Sequence, residues 1–148
     1  MAEFYSENRR ARFDYQILDT LEAGIALTGV EVKSVRAGKA NIAGSFAAVR
    51  GGELFLLGAD IPPYQPANTP AGYDPTRARK LLARAQEIKM LAGKLKTERL
   101  TIVPLKMYNQ HGLIKVELAL ARPKQKADRR EAIKKREVTR EMKRALRE

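Results

Sequence analysis

The chain has 148 residues and carries 29 Lys and Arg against 17 Asp and Glu, a formal net charge of +12. Such a charge draws polyanions, so nucleic acid, an acidic membrane surface or an acidic protein are the partners to consider, and the length suits one domain with a tail. With no cysteine there are no disulfides, thiolate zinc sites or cysteine catalysis.

Residues 1–12 are polar and basic and are expected to form a loose N-terminal arm. From Phe13 the pattern alternates: Phe13, Tyr15 and Ile17 face one way, Asp14 and Gln16 the other, as in a strand. Gly24 in "EAGI" suits a bend or bulge, and "IALTGV" continues the sheet. Gly29 then opens a short helix over "GVEVKSVRAG". Glu31 sits in its first turn, Val32 and Val35 face the sheet, Lys33 and Arg36 share an outer face with Lys39 nearby, and Gly38 stops it.

Gly51-Gly52 is a two-residue hairpin turn between runs of strand composition. "IPPYQPANTPAGYDP" holds five of the seven prolines and is a loop. Asp74-Pro75 predicts a helix start, an N-cap followed by proline, with an apolar stripe of Leu81, Ala85, Ile88, Ala92 and Leu95. A second hairpin joins "LTIVPLKMY" to "LIKVELALA", and Pro104 argues for an edge or bulge. From Arg122 onward the composition turns to twelve basic and five acidic residues. Val138, Met142 and Leu146 step by four along a thin stripe, so the tail is expected to be disordered when free and helical when bound.

These elements divide the chain into an arm (1–12), a domain (13–121) and a tail (122–148). About five strands, one short helix and one long helix make it mainly β. A partly closed barrel of the oligonucleotide-binding type is the leading architecture, an open α+β sandwich the alternative. The first residues lack the apolar core of a signal peptide, and no apolar run approaches a membrane span, so a soluble, cytoplasmic protein with no membrane partner is expected.

No catalytic set assembles. The single histidine, His111, sits in a turn without convergent ligands, and "GKANIAGS" lacks the phosphate-loop spacing. No metal, cofactor or enzymatic role is expected. The positive signal is four basic clusters: Arg9, Arg10 and Arg12; Lys33, Arg36 and Lys39; Arg77, Arg79, Lys80 and Arg84; and the tail. Four in one chain favour nucleic-acid binding over mere solvation of exposed faces. Aromatics are only 6%, which favours reading RNA by backbone and shape, with Tyr64 and Tyr73 of the proline-rich loop as exceptions. Glu22 and Leu82 fit neither the core pattern nor the basic clusters; read alone, they are a turn acid and a second core leucine.

Five pieces in order, "NRRAR" (8–12), "EAGIAL" (22–27), "GVEVKSVRAGKANI" (29–42), "DPTRARKLL" (74–82) and "LTIVPLKMY" (100–108), resemble the small protein B (SmpB) family, the tmRNA-binding proteins of bacterial ribosome rescue. The resemblance implies an oligonucleotide-binding type barrel that binds the tRNA-like domain of tmRNA and brings it to a stalled ribosome. It implies a tail that becomes helical in the empty mRNA channel near the decoding centre. Elongation factor Tu and alanyl-tRNA synthetase would be met through tmRNA, and the protein would act as a monomer. Family RNA-binding positions fall on Asn8, Glu22, Leu82 and Lys115. Arg12, Lys33, Arg36, Lys39, Arg77, Arg79 and Lys80 are expected to add phosphate contacts. In the tail, Asp128, Arg129 and Arg130 match the family's acid-base-base triplet, and Lys134, Lys135 and Arg136 would join them on the ribosome. The chain departs from the family at Ala127, where histidine or tyrosine is usual, and at Pro123, where glycine is. A ribosome-associated structural protein with a basic tail is the alternative function.

Overall fold

The computed structural model describes residues 4–124, 134 and 136–143. The elements in chain order are β1 (Phe4–Glu7), α1 (Ala11–Asp14), β2 (Tyr15–Ile25), α2 (Gly29–Arg36), β3 (Phe46–Arg50) and β4 (Glu53–Leu57). After a 3₁₀ turn at Pro66–Asn68 come β5 (Arg79–Leu82), α3 (Ala85–Thr97), β6 (Thr101–Gln110) and β7 (Leu113–Pro123). The fold is mainly β, as expected.

All strand pairings are antiparallel, and the ring β6-β3-β4-β5-β2-β7 returns to β6. Closure pairs strand edges that would otherwise recruit other chains. Inward residues of β2 to β7 fill the centre: Ala23, Ala47, Leu54, Leu56, Leu81, Ile102, Met107, Val116 and Leu118 are buried there, with Ile42 and Leu91 from outside the sheet. Gly51 and Gly52 both take positive φ, which their lack of Cβ permits, and turn β3 into β4. A bulge falls between Pro104 and Lys106, where the proline predicts one.

Two expectations are corrected. Residues 4–7 are not a loose arm: β1 pairs with β6 beyond the reach of β3. The helix expected from Asp74-Pro75 does not form there. The Asp74 side chain accepts from the Thr76 backbone and hydroxyl, closing a local turn instead. Arg79–Leu82 is then a strand, and the helix begins at Ala85, where Arg84 and Glu87 stand at its N-terminus. Its stripe is real but shorter, with Leu91 buried and Ile88 and Leu95 packed against the core.

The short helix forms as read. Thr28 and Glu31 close a capping box at its start, and Val35 is fully buried. The tail leaves β7 beside α1: Lys124 donates from its backbone to the Asp14 carbonyl and from Nζ to that of Arg12. Residues 134 and 136–143 are helical. Arg136 stands 5.5 Å from the centroid of the Phe13 ring.

Candidate nucleic-acid interface

One row of paired residues crosses the outer face of four strands. Leu82 on β5 pairs with Gly24 on β2, Gly24 with Lys115 on β7, and Lys115 with Tyr108 on β6. Side chains in such a row point the same way, and Glu22, two residues before Gly24, joins them. Glu22, Leu82 and Lys115 thus meet from three strands around an open concavity of about 890 Å³. Gly24 is the dip in its floor. A Cβ there would stand 3.3 Å from the Leu82 Cβ, tighter than ordinary contact.

Glu22 is exposed yet held. The Tyr108 hydroxyl donates to it, and Gln110, in the amide orientation that satisfies both groups, reaches its two oxygens at 2.6 and 2.8 Å. Burial and then the Glu22 carboxylate raise the Tyr108 hydroxyl well above its usual range, so it stays a donor. Leu82 is 52% exposed because β5 alternates: Arg79 and Leu81 point in, Lys80 and Leu82 out. A smaller hollow of about 220 Å³ shares Gly24, Leu82 and Lys115 and adds Leu27, Leu113 and Arg36. Leu113 is 60% exposed beside the β6–β7 turn, whose Gly112 carbonyl accepts from Arg36 at 2.9 Å.

The basic clusters separate into three roles. Lys33, Arg36 and Lys39 are exposed on and after α2, and among the described residues none of them has an ion pair. Lys80 lines the large concavity and pairs with Glu53 at 3.0 Å. Arg79 is fully buried and not free for phosphate, which corrects the sequence expectation, and Arg77, partly exposed, shares its carboxylate partner. Both grip Glu31: Arg77 Nη2 at 2.5 Å from Oε1, and Arg79 Nε at 2.8 Å and Nη2 at 2.7 Å from Oε2. Arg79 is fully buried and also donates to the carbonyls of Ala59 and Pro75. The Tyr73 hydroxyl completes the cluster, donating to Ile61 O at 2.7 Å. Burial alone would push the Glu31 carboxyl up, but hydrogen bonds from Arg77, the Thr28 backbone and Arg79 outweigh it and hold it at about 2. This group therefore fastens α2, β5 and the proline-rich loop together.

Asn8 and Arg12 lie away from the concavity, which neither lines. Asn8 is buried, and its side chain donates to the Pro104 carbonyl at 3.1 Å, so it fixes the chain ahead of α1. Arg12 is exposed on α1 at the root of the tail. Lys134 and Arg136 are exposed on the tail helix; Asp128, Arg129, Arg130 and Lys135 lie outside the described residues, as does Ala127. Pro123 ends β7, paired with Tyr15. Sequence reasoning missed Tyr108, Gln110 and Leu113. The alternation of β7 was the available signal for the face of Leu113, while β6 does not alternate and gave none for Tyr108 and Gln110.

Among the described residues no group of three or more His, Cys, Asp or Glu is placed to hold a metal, and no helix is long and apolar enough to cross a membrane. A closed basic barrel with unpaired cations beside an open hollow of fixed polar and apolar groups defines a protein of the nucleic-acid-binding class. The comparisons name the family. The family model described as SmpB protein matches residues 5–148. The SsrA-binding protein of Acaryochloris marina (strain MBIC 11017) is 52% identical over 149 residues, covering 99% of this chain and 97% of the relative. That of Rubrobacter xylanophilus (strain DSM 9941 / JCM 11954 / NBRC 16129 / PRD-1) is 51% identical, covering 97% and 95%. A solved chain described as "tmRNA-SmpB: a journey to the center of the bacterial ribosome" superposes with a TM-score of 0.66 at 51% identity, covering 86% of this chain and 92% of that one. The chain belongs to the SmpB protein family.

Proposed function

We propose that this protein is a non-enzymatic RNA adaptor that binds the tRNA-like domain of tmRNA and delivers it to stalled ribosomes. The observation that carries this reading is the convergence of Glu22, Leu82 and Lys115 from three strands on one concavity. A fixed carboxylate and an exposed leucine do little for phosphates, but they suit base edges and ribose. Lys115, with the unpaired cations of α2 to one side, supplies charge for the backbone. The division of labour follows the chain: an oligonucleotide-binding type barrel over 13–121 recognises the RNA. The tail from Arg122, rooted at α1, enters the empty mRNA channel toward the decoding centre. Elongation factor Tu and alanyl-tRNA synthetase are met through the RNA, by a monomer in the cytoplasm.

The test is a binding titration at near-physiological salt. It compares the tRNA-like domain of tmRNA with an ordinary tRNA of similar length, for the full chain and for a chain ending at Arg122. Strong preference for the tmRNA domain, kept without the tail, is the expected result. Equal binding to both RNAs, vanishing with the tail, would reduce the charge to a polyanion handle and overturn the reading.

A further inference from the structure

Past the leucine hollow, Arg36 lines one more concavity. It measures about 440 Å³ and is walled by Lys33, Arg36, Ala37 and the Tyr64 side of the proline-rich loop. Because Arg36 also lines the hollow with Leu82 and Lys115, this third concavity continues the interface around α2. We infer that Tyr64 is a base-stacking platform for RNA, with Lys33 and Arg36 placed to neutralise the phosphates beside the stacked base.

Three observations support it. First, the backbone that carries the ring is held. Pro62 and Pro63 precede it with restricted backbone freedom, the Ser34 hydroxyl donates to the Pro62 carbonyl at 2.6 Å, and Lys39 Nζ donates to the Tyr64 carbonyl at 3.1 Å. The Tyr73 hydroxyl bond to Ile61 ties down the loop one residue before the prolines. A platform on a backbone fixed in advance loses less freedom when a base settles on it than one on a mobile loop. Second, the two cations at the concavity have no carboxylate partner among the described residues. Arg36 is oriented by the Gly112 carbonyl rather than neutralised. Third, Lys39 Nζ lies over the ring at 5.3 Å from its centroid but does not line the concavity. One ring face is therefore engaged by a cation while the ring still borders open space. An acidic peptide would match the cations but gives no reason for an aromatic wall beside them. A nucleotide, with one π face and one phosphate, matches both.

The inference rests on the RNA-adaptor reading, and the experiment separates the two. The full chain and its Tyr64→Ala, Tyr64→Leu, Tyr64→Phe and Leu82→Ala variants are titrated with the tRNA-like domain of tmRNA at two salt concentrations. Thermal melting checks that each variant is folded. Stacking predicts that Tyr64→Ala weakens binding roughly 5- to 140-fold, the equivalent of about 1–3 kcal/mol. Tyr64→Leu, which keeps apolar bulk but lacks the π face, should fall with it, while Tyr64→Phe stays within about twofold of the parent. The salt slope should not change, because no phosphate contact is removed. If Tyr64→Ala and Tyr64→Leu bind like the parent while Leu82→Ala is weakened, the platform is wrong and the adaptor reading stands. If none of the variants, Leu82→Ala included, affects binding, the platform is wrong and the concavity around Leu82 is not the RNA surface; the adaptor reading itself falls only if an ordinary tRNA binds the parent as well as the tmRNA domain does. A weakened Tyr64→Phe would mean that the hydroxyl, not the ring face, matters, and would also overturn it.

Discussion

Replacing Glu31 by Gln should damage this fold more than its single-atom change suggests. Glu31 is 1% exposed and faces two guanidinium groups, one of them, on Arg79, fully buried. Its folded pKa lies at about 2, below an ordinary 4.5, so its charge contributes stability at pH values above 4.5 and loses it as the pH falls toward 2. At ~1.4 kcal/mol per tenfold, that difference amounts to about 3 kcal/mol at neutral pH. Removing one member of a buried ion pair independently suggests about 3–5 kcal/mol, because Arg79 is left charged and uncompensated. Urea unfolding of the parent and Glu31→Gln at pH 7, 5, 4 and 3 measures the gap directly. The gap should be about 3–5 kcal/mol at pH 7 and narrow by about 2 kcal/mol by pH 3, where the unfolded parent has bound the proton. A gap below about 1 kcal/mol at pH 7, or one that stays constant across the series, would refute the view that this carboxylate holds the loop and α2 onto the barrel.

Three further outcomes follow from the site. Gly24→Ala should leave stability within about 1 kcal/mol, the gain in chain stiffness offsetting the close approach to Leu82, yet weaken RNA binding by displacing that leucine; unchanged titrations would show that the dip is not used. Tyr108→Phe removes the hydroxyl donor to Glu22 and should weaken binding roughly two- to tenfold, about 0.5–1.5 kcal/mol, with the same salt slope. Glutamine at Lys33, Arg36 and Lys39 together should flatten the log–log salt dependence by about 2–3 if each meets a phosphate; a parent-like slope would remove α2 from the interface.

Local chemistry determined much of this protein. The short helix α2, the Gly51-Gly52 turn, the alternation along the first half of β7 and the bulge near Pro104 are read within a few residues, because each depends on short-range sterics or on one period of hydrophobicity. The motif resemblance also pointed to Glu22, Leu82 and Lys115. Tertiary structure decided the rest. Arg79–Leu82 is a strand because pairing with β2 and β4 outweighs a local start signal at Asp74-Pro75, and no window of sequence contains those partners. Arg77 and Arg79 share Glu31, 46 and 48 residues away, and Arg79 is buried with it, so one guanidinium of the cluster is spent inside the molecule. Whether a cation faces solvent or a buried carboxylate depends on what the chain brings beside it, and composition counts both alike. The same holds for the row from Leu82 through Gly24 and Lys115 to Tyr108. Each residue is ordinary in its own strand, and only the register of four strands makes them a site.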